Sequence, residues 1–171
     1  MKEYTSSTQT KVIYSDDNNY RYSLKRTWQE NGLKATFIGI NPSEATELMW
    51  DTTVMNLNNH LVDLGYGSVE IVNLFSYRSK QQKTLTLRNV TQERYNLKYI
   101  KNAIQDSEII IIGWGRDAEK KSTYRQDIER VKNLLVVHKE KVYCFMDGKG
   151  NVNCHLSRGY NKDWKLIKYE I

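Results

Sequence analysis

The chain has 171 residues, 39% hydrophobic and 27% charged, which suits one domain with its own core and argues against a disordered chain. A mean hydropathy of −0.70 and the lack of any long apolar run exclude a membrane span; the polar start Met1-Lys2-Glu3-Tyr4 has no signal-peptide core, so a soluble cytoplasmic protein is expected. Lys and Arg number 26 against 20 Asp and Glu, a net +6 that suits a polyanionic partner without requiring one, and two cysteines are too few for a disulfide scaffold.

The first ten residues are polar and expected to fray. Residues 11–14 and 20–28 read as two strands joined by the turn Ser15-Asp16-Asp17-Asn18-Asn19, an N-terminal β-hairpin. Asn31-Gly32 is a second turn signal and leads into a strand over 34–40. That strand must stop at Ile40 or Asn41, because Pro42 lacks an N–H and forces its predecessor out of helical geometry. Met55, Leu57, Leu61, Val62 and Leu64 then recur near the helical period, with Gly65 as the stop.

A buried strand follows over 69–75, and a helix capped by Asn89 or Thr91 carries Tyr95, Leu97, Ile100, Ala103 and Ile104. Residues 108–114, with four consecutive isoleucines, form the strongest strand signal, and 118–137 read as a helix with Tyr124, Ile128, Val131 and Leu135 on one face. A strand over 141–146 ends at the turn Asp147-Gly148-Lys149-Gly150, and the tail 164–171 fits a strand or a helix equally. No repeat or Gly/Ser/Pro-rich linker interrupts the chain, so residues 1–171 are read as a single α/β domain. From Lys34 onward the order β-α-β-α-β-α-β implies a mostly parallel central sheet between two helical layers, a three-layer α/β/α sandwich preceded by the hairpin.

Ligands of such sheets bind at the carboxyl ends of the strands, which selects the candidate residues. Asn41-Pro42-Ser43 is either a strand-to-helix corner or a loop that offers an amide and backbone N–H groups to a ligand. Asp51 either caps the following helix or holds a water. Asn73 interrupts an apolar strand, so its amide either ties down a loop or touches ligand. Phe75 and Arg78 suit a stacked base and a phosphate, and suit packing and a surface charge equally. Gly113-Trp114-Gly115 permits close approach on both sides of an indole, or simply buries it. His155 follows the last central strand, where an imidazole has chemical use, whereas His60 and His138 are expected at the surface. Cys144 reads as a core residue, and adjacent Cys154 and His155 lack metal-ligand spacing, so neither metal nor cofactor is expected.

Taken in order, the segment 21–28, Ile40-Asn41-Pro42-Ser43-Glu44-Ala45, Asp51-Thr52-Thr53, Gly65-Tyr66-Gly67, the segment 72–78 and Gly113-Trp114-Gly115 resemble the bacterial and phage family called domain of unknown function 1643. More remotely, Gly39-Ile40-Asn41-Pro42-Ser43 is similar to the first motif of the uracil-DNA glycosylase superfamily, and His155-Leu156-Ser157 occupies the place of its His-Pro-Ser motif. Leu156 stands where that motif has proline, and Ser43 where the mismatch-specific branch has glycine. This resemblance implies a uracil-DNA-glycosylase-like sandwich and, with it, cleavage of an N-glycosidic bond in DNA or a nucleoside derivative.

In that reading Asn41 holds the water, His155 donates to the departing base and Asp51 is an alternative orienting carboxylate. Pro42, Ser43, Asn73, Gly115 and Ser157 line the substrate, Phe75 or Trp114 stacks on an extruded base, and Arg78 holds phosphate. The alternatives are a non-catalytic binder of a nucleotide or nucleotide-derived signal, and an interaction protein whose strand-end residues are purely structural. The expected partner is nucleic acid or a nucleotide-derived small molecule, and no membrane.

Overall fold

The computed structural model describes residues 1–79, 85, 88–156 and 163–171. Its sheet has seven strands, β1 (Gln9–Tyr14), β2 (Arg21–Thr27), β3 (Leu33–Gly39), β4 (Tyr66–Asn73), β5 (Ile109–Ile112), β6 (Val142–Met146) and β7 (Lys165–Lys168), in the spatial order β1-β2-β4-β3-β5-β6-β7. The helices are α1 (Thr52–Asp63), α2 (Val90–Gln105), α3 (Arg116–Glu119) and α4 (Arg125–Leu135). Residues 1–8 carry no regular structure and are exposed.

The sheet is mixed rather than mostly parallel. β4, β3, β5 and β6 pair in parallel, while β1 on β2, β2 on β4 and β7 on β6 are antiparallel. The first two strands therefore do not precede the sandwich but extend its sheet, because β2 pairs along β4. The tail whose type the sequence leaves open is a strand.

Alternation along the central strands divides the core into two layers. Ile109 and Ile111 pack with Phe37, Ile71 and the α1 residues Val54, Leu57 and Leu61. Ile110 and Ile112 pack on the opposite face with Ile100 and Ile104 of α2 and with Ile128, Val131 and Leu135 of α4. All four isoleucines are at most 5% exposed, as a strand covered on both faces requires.

Three helix expectations need correction. In α1 the buried face is Val54, Leu57 and Leu61 with Asn56 and His60, whereas Met55, Val62 and Leu64 are exposed. In α2, capped by the Asn89 side chain accepting from the Thr91 N–H, Asn96 is buried while Tyr95 and Leu97 are exposed. The helix expected over 118–137 is broken into α3, a 3₁₀ turn Ser122–Tyr124, α4 and a second 3₁₀ segment Val136–Lys141. Ala118 and Tyr124 are both buried, yet six residues apart in one helix they would point about 120° apart, so the extended Lys121 must separate them.

His60 is not at the surface. It is 5% exposed and packs on Phe145 at 4.8 Å between ring centroids, and burial holds its pKa below 6.5 despite Asp63. A base with a lowered pKa protonates in the unfolded chain first, so stability present above pH 6.5 is lost as pH falls toward the folded-state pKa. The melting temperature is expected to fall less between pH 7.5 and 5.5 in His60→Phe than in the parent. Equal falls in both proteins would show that His60 does not contribute to the acid sensitivity.

Candidate functional site

β3 and β4 run out side by side, and their ends build one wall of a cleft of about 590 Å3. Gly39 pairs with Asn73, and a Cβ on Gly39 would lie 2.7 Å from Asn73 Oδ1, so the glycine makes room for the amide. The ladder continues past both strands through Leu74 N–H to Gly39 O and Phe75 N–H to Ile40 O, each 2.9 Å. Asn96 of α2 donates to the carbonyls of Asn73 and Leu74 and fixes the end of β4. The β3→β4 connection carries α1 on one face and the β4→β5 connection carries α2 on the other, so the chain reverses direction across the sheet at β3, where ligand crevices form.

The Asn73 side chain is 3% exposed and lines the cleft, and among the described residues its Nδ2 has no hydrogen-bond partner. A buried donor without an acceptor costs about 1–3 kcal/mol, and it is a place where a ligand atom fits. Asn41, on the same cleft, spends its NH2 group on Ser79 O at 2.8 Å and Pro42 O at 3.2 Å. Its Oδ1 accepts nothing among the described residues, so the acceptor end of this amide remains for a ligand or a water. Pro42, Ser43, Asp51, Arg78 and His155 line the same cleft.

Asp51 is the α1 cap. Its Oδ1 accepts from Val54 N–H at 2.9 Å and its Oδ2 from Ala45 N–H at 3.0 Å, so this carboxylate is occupied in holding the loop 41–51 to the helix. That geometry is the capping role, the first of the two readings of this residue, and the same carboxylate lines the cleft. Asp51→Ala is expected to lower the unfolding free energy by about 2 kcal/mol in urea titrations. Asp51→Asn, with one acceptor in place of two, should lose roughly half of that; no loss in either variant would contradict the assignment.

Arg21 is a site residue that the sequence reading missed. Between β1 and β2 the register steps from Ile13↔Ser23 to Tyr14↔Arg21, passing over Tyr22. This bulge turns Arg21 to the α1 face that Leu24 shares, while Tyr22 turns to α2 and stacks on Tyr99 at 5.0 Å. Arg21 is 1% exposed and lines the cleft; its Nη1 donates to Ala45 O at 2.6 Å, and its Nε has no partner among the described residues. Burial lowers its pKa to about 10, against the opposing pull of Tyr14 and Asp51. Arg26, equally buried, donates through Nη2 to Thr46 O and Met49 O, and lies 3.8 Å over the Trp50 ring. Two buried guanidiniums thus hold the loop that walls the cleft.

At the rim, Arg78 donates through Nη1 to Asn18 O and by its backbone N–H to Asn19 O, so the β1–β2 turn and the end of β4 meet there. His155 stands between this cleft and a second cavity of about 340 Å3 that includes Trp114 and Gly115. Gly115 has a φ of +80°, a conformation that favours glycine, and a Cβ there would lie 3.6 Å from the His155 Cβ.

Two expected stacking rings are placed elsewhere. Phe75 is 1% exposed on the α2/α4 side, edge-on to Tyr124 at 5.1 Å and beneath the Arg88 guanidinium. Trp114, also 1% exposed, donates its indole N–H to Glu119 at 3.0 Å, and that carboxylate oxygen also accepts from Asn153 and Tyr169. Besides the His155 imidazole, Phe37 is a ring that does line the cleft. Ser157 lies outside the described residues. Among the described residues no group of three or more His, Cys, Asp or Glu is placed to hold a metal ion, and no helix is long and apolar enough to cross a membrane.

Residues 21–155 match the model of a family described as protein of unknown function (DUF1643). No curated protein matches the chain. Among solved structures, the hetero-hexameric glutamate dehydrogenase from Thermus thermophilus aligns over 78% of this chain and 31% of its own, at 14% identity and a TM-score of 0.32, too low to carry an argument.

Proposed function

The chain belongs to that family, and from the cleft, whose lining falls mostly within the matched segment, we propose that the protein recognises a nucleobase carried on a nucleoside or nucleotide. The observation that carries this reading is the pair of amides: an unpartnered buried donor on Asn73 and a free acceptor on Asn41, on adjacent parallel strand ends. A base edge presents carbonyl acceptors and N–H donors in one plane, which is the complement such a pair selects. Phe37, Ile71 and Leu57 supply the apolar remainder, and the remote likeness to the uracil-DNA glycosylase superfamily agrees with it.

The test is calorimetric titration with nucleosides, nucleotides and short oligonucleotides at two salt concentrations. Saturable binding that prefers one base supports the proposal; indifference to the base rejects it. Affinity that is nearly independent of salt identifies a small ligand, whereas a steep loss with salt identifies a polymer whose phosphates release counterions.

A second reading, hydrolysis of the N-glycosidic bond, rests on Asn41 and His155 lining one cleft. The Asn41 amide oxygen would hold a water against the sugar carbon while His155 donates to the base as negative charge develops on it. Release of free base that disappears in Asn41→Ala, with folding intact, supports this step. Saturable binding with no released base rejects it and leaves recognition alone.

A further inference from the structure

We infer that the floor of the cleft is an anion subsite in which Arg21 takes the terminal phosphate of a free nucleoside monophosphate. The inference rests on the nucleobase reading above and adds to it the class of the ligand. Burying a guanidinium is costly unless an anion or a full set of acceptors compensates. Arg21 is 1% exposed, yet among the described residues it forms no ion pair and has one hydrogen bond, from Nη1 to the neutral carbonyl of Ala45. Among the described residues neither its buried Nε nor its Nη2 has a partner. Nε and Nη2 form one edge of the guanidinium fork, the edge that binds two oxygens of a phosphate together.

Among the described residues the cations around this point outnumber the carboxylates that face them. Arg21 and Arg26 face one carboxylate, Asp51, both of whose oxygens already accept backbone N–H groups. Arg78 adds a third cation at the rim, with Glu44 exposed on the same lining. An incoming phosphate dianion supplies the missing acceptors and the missing charge together. Arg21 is 1% exposed, so a terminal phosphate, with one ester link and free oxygens on its other side, suits this subsite better than a backbone phosphodiester that carries a nucleotide on both sides. The amides of Asn41 and Asn73 line the same space, so one cleft of about 590 Å3 holds the base-reading groups and the phosphate-reading group. The bulge at Tyr22 is what creates the subsite, since strict alternation would have placed Arg21 with Ser23 on the opposite face.

The experiment is titration of the parent protein with nucleosides, their 5′-monophosphates, ribose 5-phosphate and a 5′-phosphorylated tetranucleotide, repeated on Arg21→Gln and Arg21→Lys. The monophosphate of the preferred base is expected to bind at least about 30-fold more tightly than its nucleoside, in line with charge-assisted bonds to a buried cation. Arg21→Gln should erase that advantage, and Arg21→Lys, which keeps the charge but not the fork, should retain only part of it.

A measurement on the parent alone covers the case in which Arg21→Gln does not fold: inorganic phosphate should raise the melting temperature above that in sodium chloride of equal ionic strength. Equal melting temperatures in the two salts would overturn the inference. So would equal affinity for nucleoside and monophosphate, tighter binding of the tetranucleotide than of the mononucleotide, or a folded Arg21→Gln that keeps the phosphate advantage. Ribose 5-phosphate binding as tightly as every nucleotide would leave the anion subsite standing and reject the nucleobase reading, so the two failures are distinguishable.

Discussion

Asn73→Leu is expected to melt at a higher temperature than the parent and to lose its ligand. The Asn73 amide is 3% exposed and its Nδ2 has no partner among the described residues, so an apolar side chain of similar branching removes a buried, unsatisfied donor. The gain should be about 1 kcal/mol in unfolding free energy. The same change deletes the donor that reads the base, and affinity should fall by roughly 10- to 100-fold. A structural amide behaves in the opposite way: Asn56, whose Nδ2 donates to Leu156 O at 2.7 Å, should lose stability when replaced by Leu. The contrast between the two variants separates a ligand group from a structural one. If Asn73→Leu were destabilised like Asn56→Leu, Asn73 would be a packing residue.

The largest loss of stability is expected at Gly113. A Cβ there would lie 1.9 Å from Phe37 Cζ and 2.1 Å from Cε2, and Phe37 is 2% exposed between β4 and β5. No small shift relieves overlap on that scale, so the ring must leave its place, and Gly113→Ala should cost about 3 kcal/mol. Phe37 also lines the cleft, so ligand affinity should fall with it. Phe37→Leu in the Gly113→Ala background should restore part of the stability by vacating the space. A single Gly113→Ala variant within about 0.5 kcal/mol of the parent would contradict this packing.

The frame of the site is legible in the sequence because covalent and steric rules govern it. Pro42 limits how far β3 can run, which ends at Gly39, one residue short of the expected Ile40, and the all-isoleucine β5 can only be a covered central strand. Asn73 is visible as one amide in an apolar run. Phe75 misleads for a geometric reason. Two residues beyond Asn73, alternation assigns it to the same face, but β4 ends at Asn73 and both Leu74 and Phe75 turn into the α2/α4 layer. Trp114 follows Ile110 and Ile112 by alternation and so belongs to that layer as well, away from Phe37 and the cleft.

Arg21 is illegible for the complementary reason. Its face depends on a bulge against β1, and a bulge is a property of two paired strands rather than of either one. The pairing of β2 with β4, which joins β1 and β2 to the sheet and brings Arg21 into the cleft that Asn73 lines, is likewise a long-range choice that local patterning leaves open.

The central claim is that the two strand-end amides read a base, and the side-chain NH2 resonances of a 15N-labelled sample report on it most directly. During titration with the four nucleoside monophosphates, the Asn73 Nδ2 pair, assigned through its absence in Asn73→Leu, should move downfield as it gains an acceptor. It should do so saturably, and for one base over the others. An Asn73 pair that stays in place at saturating ligand, while shifts gather elsewhere on the surface, would contradict the claim.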